Sequence, residues 1–260
     1  MEPSGIGLRA QLAGLGLTAG QTVLVHCSLR AVGWVPGGAA GLREVLLDLL
    51  VRARGTLVVP AQTSSISMTS AEFQAATAGL SEARYAAYLD ALAGFDPGRS
   101  PAEGMGALAE AVRTHPRAHR SAHPITSFAA VGRLAAELTG AHPLESLLGK
   151  ESPLGRLYER EALVLLLGVG YDKCTAFHLG ENLELAPERA YRCKIGDSWR
   201  EFNGPAHRDA EFAELGSMFE NTYPERVRRG RVGAAESRLF TLTDAVDFAA
   251  RTLPSLRFAR

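Results

Sequence analysis

His178 and Glu181 stand three residues apart in the stretch VLLLGVGYDKCTAFHLGENLE, residues 164–184. On a helix that spacing puts an imidazole and a carboxylate on one face. Imidazole changes charge near neutral pH, so such a pair can hold or move a proton. From the residues alone Glu181 has three readings: it orients the imidazole, binds a cationic substrate, or pairs with a surface cation. His178 equally fits a satisfied structural histidine. Cys174, four residues before His178, adds a thiol. A Cys–His pair can generate a thiolate nucleophile. The alternative is a small buried thiol, since nothing near it in sequence marks its pKa as lowered.

The surrounding pattern sets where these groups must sit. Leu163–Leu167 is an aliphatic run with the length of a buried strand, closed by Gly168 and Gly170. Residues 174–185 read as a helix with Thr175 as its cap and Ala176, Leu179, Leu183 and Leu185 as its apolar side. A histidine just past a central strand lies where open α/β sheets usually bind ligands. The first sixty residues give a comparable unit. A short helix (8–17) precedes a strand (22–26), a Gly-rich loop HCSLRAVGWVPGG (26–38), a periodic helix (42–51) and a strand (57–60).

The middle of the chain is less regular. QTSSISMTS (62–70) is a polar loop, residues 71–93 read as one Ala-rich helix, and residues 95–105 are irregular. A short helix (106–113) leads to HPRAHRSAHPITS (115–127) and its three histidines. Residues 127–138 read as helix or strand–helix, and Ser152 before Pro153 caps a short helix. Residues 189–202 suit a hairpin, 212–219 a helix, 230–240 a Gly-led turn into a helix, and 242–253 a closing amphipathic helix. The expectation is one α/β domain with a central sheet flanked by helices and no linker long enough to divide it.

Composition narrows the class. The 260 residues are 46% hydrophobic and 22% charged, and 28 Lys+Arg balance 28 Asp+Glu. Bulk charge therefore gives no reason to expect a nucleic-acid or acidic-membrane partner. ERVRRGR (225–231) reads as a solvated turn. No apolar run approaches a membrane span, and the N-terminus lacks a signal pattern. Three cysteines without metal-type spacing suit a reduced, cytoplasmic chain. The 26–38 loop can cradle phosphate oxygens with its backbone N–H groups, with Arg30 adding charge; it equally fits an ordinary Gly-rich connection. It matches neither the P-loop nor the dinucleotide fingerprint. In RSAHPITSF (120–128), serines, a histidine and an arginine could line a cleft, or His123 and Ser121 could satisfy a turn around Pro124.

Seven segments in order resemble the aminoglycoside 3-N-acetyltransferase family: VLVHCSLRAVGWVPGG, GTLVVPAQTS, GMGALAEAVRTHP, RSAHPITSFAAVG, ESPLGRLYE, VLLLGVGYDKCTAFHLGE and RGRVGAAESRLF. The resemblance runs from about Leu8 to the C-terminal helix. It implies the antibiotic N-acetyltransferase fold, an α/β domain with a mixed central sheet and not GCN5-type. It implies acetyl-CoA held by three segments. These are residues 26–38 (His26, Ser28, Leu29, Arg30, Val32, Gly33, Trp34, Val35 and Gly37), Thr63 with Ser64, and Ser121 with Phe128. The family's T-x-x-H-x-x-E pattern falls on Thr175, His178 and Glu181, which implies His178 as general base. Two positions depart from the family: Gly180 stands where alanine is usual, and Asn203 where an acid is expected. The later hairpin offers Glu201 and Asp209 instead. Glu201 is the expected partner of His178, and Glu181 and Asp209 the expected aminoglycoside contacts. The loop after Gln62 also lacks acidic and aromatic residues that many members carry.

The implied reaction is direct acetyl transfer from acetyl-CoA to the 3-amino group of a 2-deoxystreptamine aminoglycoside, conferring resistance, in a monomer or homodimer. Three rivals stay open: a covalent acetyl-Cys174 route, a metal-dependent hydrolase built on His26, His123 and His178, and CoA binding with another amine acceptor or no catalysis.

Overall fold

The computed structural model describes residues 5–52, 54–183 and 187–258. The chain begins α1 (Gly5–Leu15), β1 (Thr22–Cys27), α2 (Leu29–Val32), α3 (Gly38–Leu50) and β2 (Thr56–Pro60). It continues α4 (Ala71–Thr77), α5 (Glu82–Ala91), α6 (Ala107–Arg113), β3 (His119–Arg120), β4 (Phe128–Gly132), α7 (Ala135–Leu138) and α8 (Pro153–Glu159). Then come β5 (Leu163–Leu167), α9 (Phe177–Leu183), β6 (Glu188–Ile195), β7 (Ser198–Pro205) and α10 (Phe212–Thr222). The last elements are β8 (Arg228–Val232), β9 (Ala235–Thr241) and α11 (Leu242–Phe258).

Among the described residues seven strands form one mixed sheet in the order β3-β4-β2-β1-β5-β9-β8. Its centre, β2-β1-β5, is parallel, with Val23 opposite both Leu57 and Leu163. Antiparallel β4 and β9 flank that centre. Both faces are covered, which is why the central strands are continuous apolar runs rather than alternating ones. Val23, Val25, Leu57, Val59, Leu165 and Leu167 pack on one side with α1, α3 and α6. Leu24, Val58, Val164 and Leu166 face the other, against α8, α9, α10 and α11. The β6–β7 hairpin stands apart as a two-stranded sheet.

Residues 230–240 depart from expectation. They form the β8–β9 hairpin, turning at Gly233, and β9 pairs with β5 from Leu163↔Thr241 to Leu167↔Ser237. AAESRL has good local helix propensity, but Ala235, Ser237 and Leu239 are buried while Glu236 is exposed, and pairing with the central strand overrides propensity. The expected helix over 71–93 is two helices. The break lies around Gly79, whose φ is +71°, and Ser81 restarts the helix by accepting from the N–H of Arg84. The segment 174–185 is helical only from Phe177; Leu185 lies outside the described residues. Ser152 caps α8, its side chain accepting from Leu154 N. No described helix is long and apolar enough to cross a membrane.

Candidate active site

Parallel pairing aligns the C-terminal ends of β1, β2 and β5 on one edge of the sheet, and the segments leaving them line a cleft of about 590 Å³. From β1 come His26 to Arg30, from β2 Pro60 and Gln62, and from β5 Val169 and residues 172–175. His178 of α9, Gly104 to Ala107, Asp209 and Phe212 complete the wall. Strand alternation puts His26 on the same sheet face as Leu24, the face that α9 covers.

His178 Nδ1 lies 2.8 Å from Oε2 of Glu181. Nδ1–H donates to the carboxylate, leaving Nε2 as the nitrogen able to take a proton. Glu181 is 2% exposed. Burial alone would raise its pKa, but the hydrogen bond from His178 and the positive charges around it hold it below the ordinary carboxylate value. On its second oxygen, Oε1, Glu181 accepts from the backbone N–H of Arg208 at 3.1 Å, and Nη2 of Arg257 lies 2.7 Å away. The ring of Phe212 lies 4.6 Å from that of His178, and the ring of His207 4.8 Å. Burial lowers the pKa of His207 to about 3, so this second imidazole is neutral at neutral pH.

The carboxylate expected from Glu201 is supplied by Glu181. Glu201 projects from the β6–β7 hairpin, its side chain 74% exposed and 3.4 Å from Arg192. Glu181 in turn is turned inward to the imidazole rather than presented to a cationic ligand. Asp209 does line the cleft. Of the residues expected to hold the cofactor, His26, Ser28, Leu29 and Arg30 are on the cleft wall. The others lie off that wall. Val32 and Val35 are core, Gly33 caps α2, Gly37 caps α3, and Trp34 is 59% exposed. Thr63 donates to Pro101 O, and Ser64 O accepts from Ser67 N. Ser121 accepts from Phe128 N beside the buried Phe128 ring. Arg120 ties this region together, its guanidinium bonded to Ala61 O, Ser100 O, Thr63 Oγ1 and Ser127 Oγ.

Burial weighs against two of the rivals. Cys174 is fully buried and its thiol is pushed up to about 12, the wrong direction for a nucleophile. His123 is 0% exposed, with Nε2 bonded to Leu144 O and Nδ1 accepting from the N–H groups of Ile125 and Thr126, so it has no nitrogen to give a metal. A different trio, His178, Glu181 and His207, brings one donor atom each within 4.8 Å of one another. Its carboxylate is already bonded to an imidazole and a guanidinium. His207 and Arg257 escaped the sequence reading because neither has a motif partner; only the return of the hairpin and of α11 brings them to α9.

A buried carboxylate bonded to an imidazole, in a cleft at the carboxyl edge of a doubly covered α/β sheet, is an arrangement that can hold or move a proton. Comparison with known proteins names the family. Residues 24–254 match the model of the family described as aminoglycoside 3-N-acetyltransferase. The chain is 38% identical to the SPbeta prophage-derived aminoglycoside N(3')-acetyltransferase-like protein YokD of Bacillus subtilis, over 92% of this chain and 88% of that protein. The YokD crystal structure superposes with a TM-score of 0.89, covering 97% of this chain and 94% of that one. A structure described as AAC-IIIb binary with CoASH matches with TM-score 0.83 at 28% identity, covering 97% and 96% of the two chains. AAC-VIa bound to sisomicin matches with TM-score 0.80 at 29% identity, covering 98% of each. The chain belongs to the aminoglycoside 3-N-acetyltransferase family.

Proposed function

We propose that this protein transfers the acetyl group of acetyl-CoA to the 3-amino group of a 2-deoxystreptamine aminoglycoside, with His178 as general base in a ternary complex. The observation that carries this reading is the 2.8 Å bond between His178 Nδ1 and the buried Glu181 carboxylate, at the wall of the cleft. The names of the relatives, one structure with CoASH and another with sisomicin, support both substrate classes.

Arg30 and Lys173 line the cleft and offer cations to the coenzyme's phosphates. Asp209 offers a carboxylate to an amino-sugar ammonium. The acceptor must attack as a neutral amine. As its nitrogen forms the C–N bond with the thioester carbonyl carbon, Nε2 of His178 takes the N–H proton and Glu181 stabilises the imidazolium. Collapse of the tetrahedral adduct breaks the C–S bond, and the imidazolium returns the proton to the departing thiolate.

The test is acetyl-CoA turnover against a panel of aminoglycosides and simpler amines, with the acetylated nitrogen located by NMR. The expected product carries acetyl on the 3-amino group. His178→Ala is expected to lose about 10²–10⁴-fold in kcat. A folded His178→Ala protein at full rate would remove the general base, and turnover confined to other amines would remove the aminoglycoside.

A further inference from the structure

One side chain of the C-terminal helix reaches the carboxylate behind His178. Arg257, in the last turn of α11, is 21% exposed and places Nη2 2.7 Å from Oε1 of Glu181. The same nitrogen donates to Arg208 O at 2.8 Å, and Nε lies 3.4 Å from Oε2 of Glu211. Glu211 is 3% exposed, and its other oxygen pairs with Arg208 at 3.0 Å. Arg257 thus bridges two buried carboxylates without itself lining the cleft. Its reach depends on how closely α11 lies on α9. At Gly180 an added Cβ would come within 2.6 Å of Val246 O, 2.7 Å of Ala249 Cβ and 2.9 Å of Ala250 N, so the two helices meet there backbone to backbone.

A carboxylate removed from water favours its protonated form unless a cation answers it. Were Glu181 to gain a proton, it would cease to fix the imidazole tautomer. The groups that face the pair are Tyr191 from β6, His207, Arg208 and Asp209 from the loop after β7, Glu211 at the start of α10, Arg257 from α11, and Asp172 and Lys173 across the cleft. Among them only Arg257 brings a full positive charge onto the Glu181 carboxylate through a side chain at contact distance. We propose that Arg257 is a positioning residue for acetyl transfer: it holds Glu181 ionised behind His178, so that Nδ1 keeps its proton and Nε2 acts as the base. This rests on His178 being the general base.

Removing the Arg257 charge strengthens the hold of the Glu181–His178 pair on a proton. In Arg257→Met the acid limb of the kcat/KM profile is therefore expected to move up by about one pH unit. At a pH below that limb, kcat falls about tenfold, as one pH unit implies. KM for acetyl-CoA stays near wild type, because Arg257 does not touch the cleft. Arg257→Lys, which keeps the charge, is expected to return the limb toward its wild-type position. A folded Arg257→Met protein with a lowered Tm but an unmoved profile would mean that Arg257 only docks α11, and would overturn the proposal. Should Arg257→Met not fold, Arg257→Gln removes the charge while keeping hydrogen bonds, and the same two outcomes apply. His178→Ala is run alongside. Its inactivity together with an unmoved Arg257 profile sinks the positioning role alone, whereas full activity of His178→Ala removes the base and this role with it.

Discussion

At the scale of single residues, two glutamates sit in different surroundings, one against the imidazole and one on the surface. Glu181 bonds the imidazole at 2.8 Å from the interior, whereas Glu201 sits on the hairpin surface beside Arg192. Glu181→Gln is expected to lower kcat by at least about tenfold, since an amide can present a donor to Nδ1 and invert the tautomer. Glu201→Gln is expected to leave steady-state kinetics and Tm unchanged, because an exposed pair contributes about 0–1 kcal/mol. Steady-state assays of both at one pH decide the matter; equal effects would refute the assignment. The low pKa of Glu181 also has a stability consequence. Its folded value lies below its unfolded one, so its contribution is present above the ordinary carboxylate range and lost as pH falls through the folded value.

At the scale of elements, the α9–α11 contact is what glycine at position 180 permits. Gly180→Ala restores the residue that the family resemblance leads one to expect, but here its methyl would enter the backbone of α11. The expected cost is about 2 kcal/mol in urea unfolding, with a loss of kcat as α9 shifts. Gly14, exposed near the end of α1 with nothing within 4 Å of an added Cβ, is the control. Gly14→Ala is expected to stabilise by about 0.5 kcal/mol through helix propensity alone. A neutral Gly180→Ala would show that α11 yields, and that helix spacing does not set the site.

At the scale of the whole molecule, buried histidines are expected to make stability fall in acid. The rings of His123 and His142 lie 4.6 Å apart, tilted by 36°, and burial lowers their pKa values to about 4 and about 3. His123 accepts two backbone N–H groups at Nδ1, and His142 bonds Ser121 Oγ and Leu147 O, so both are built neutral. Their ordinary value is 6.5, so the unfolded chain binds more protons between pH about 6.5 and 4. Stability is then expected to be full above that window and to fall with pH inside it, by about 1.4 kcal/mol per pH unit for each histidine. Urea unfolding at pH 7 and pH 5 measures the slope, and His123→Asn is expected to flatten it. How much of this was readable in advance depended on how local the cause was. The β1 and β5 strands, the helix carrying His178 and Glu181, and the Ser152 cap follow from runs, spacing and capping inside a few residues, so the sequence by itself determined them. The same holds for the family pattern. The β8–β9 hairpin, the inward turn of Glu181, and the arrival of His207 and Arg257 depend on contacts between distant segments. Only tertiary packing decided those, because burial and long-range pairing outweigh local propensity and decide which carboxylate meets the imidazole.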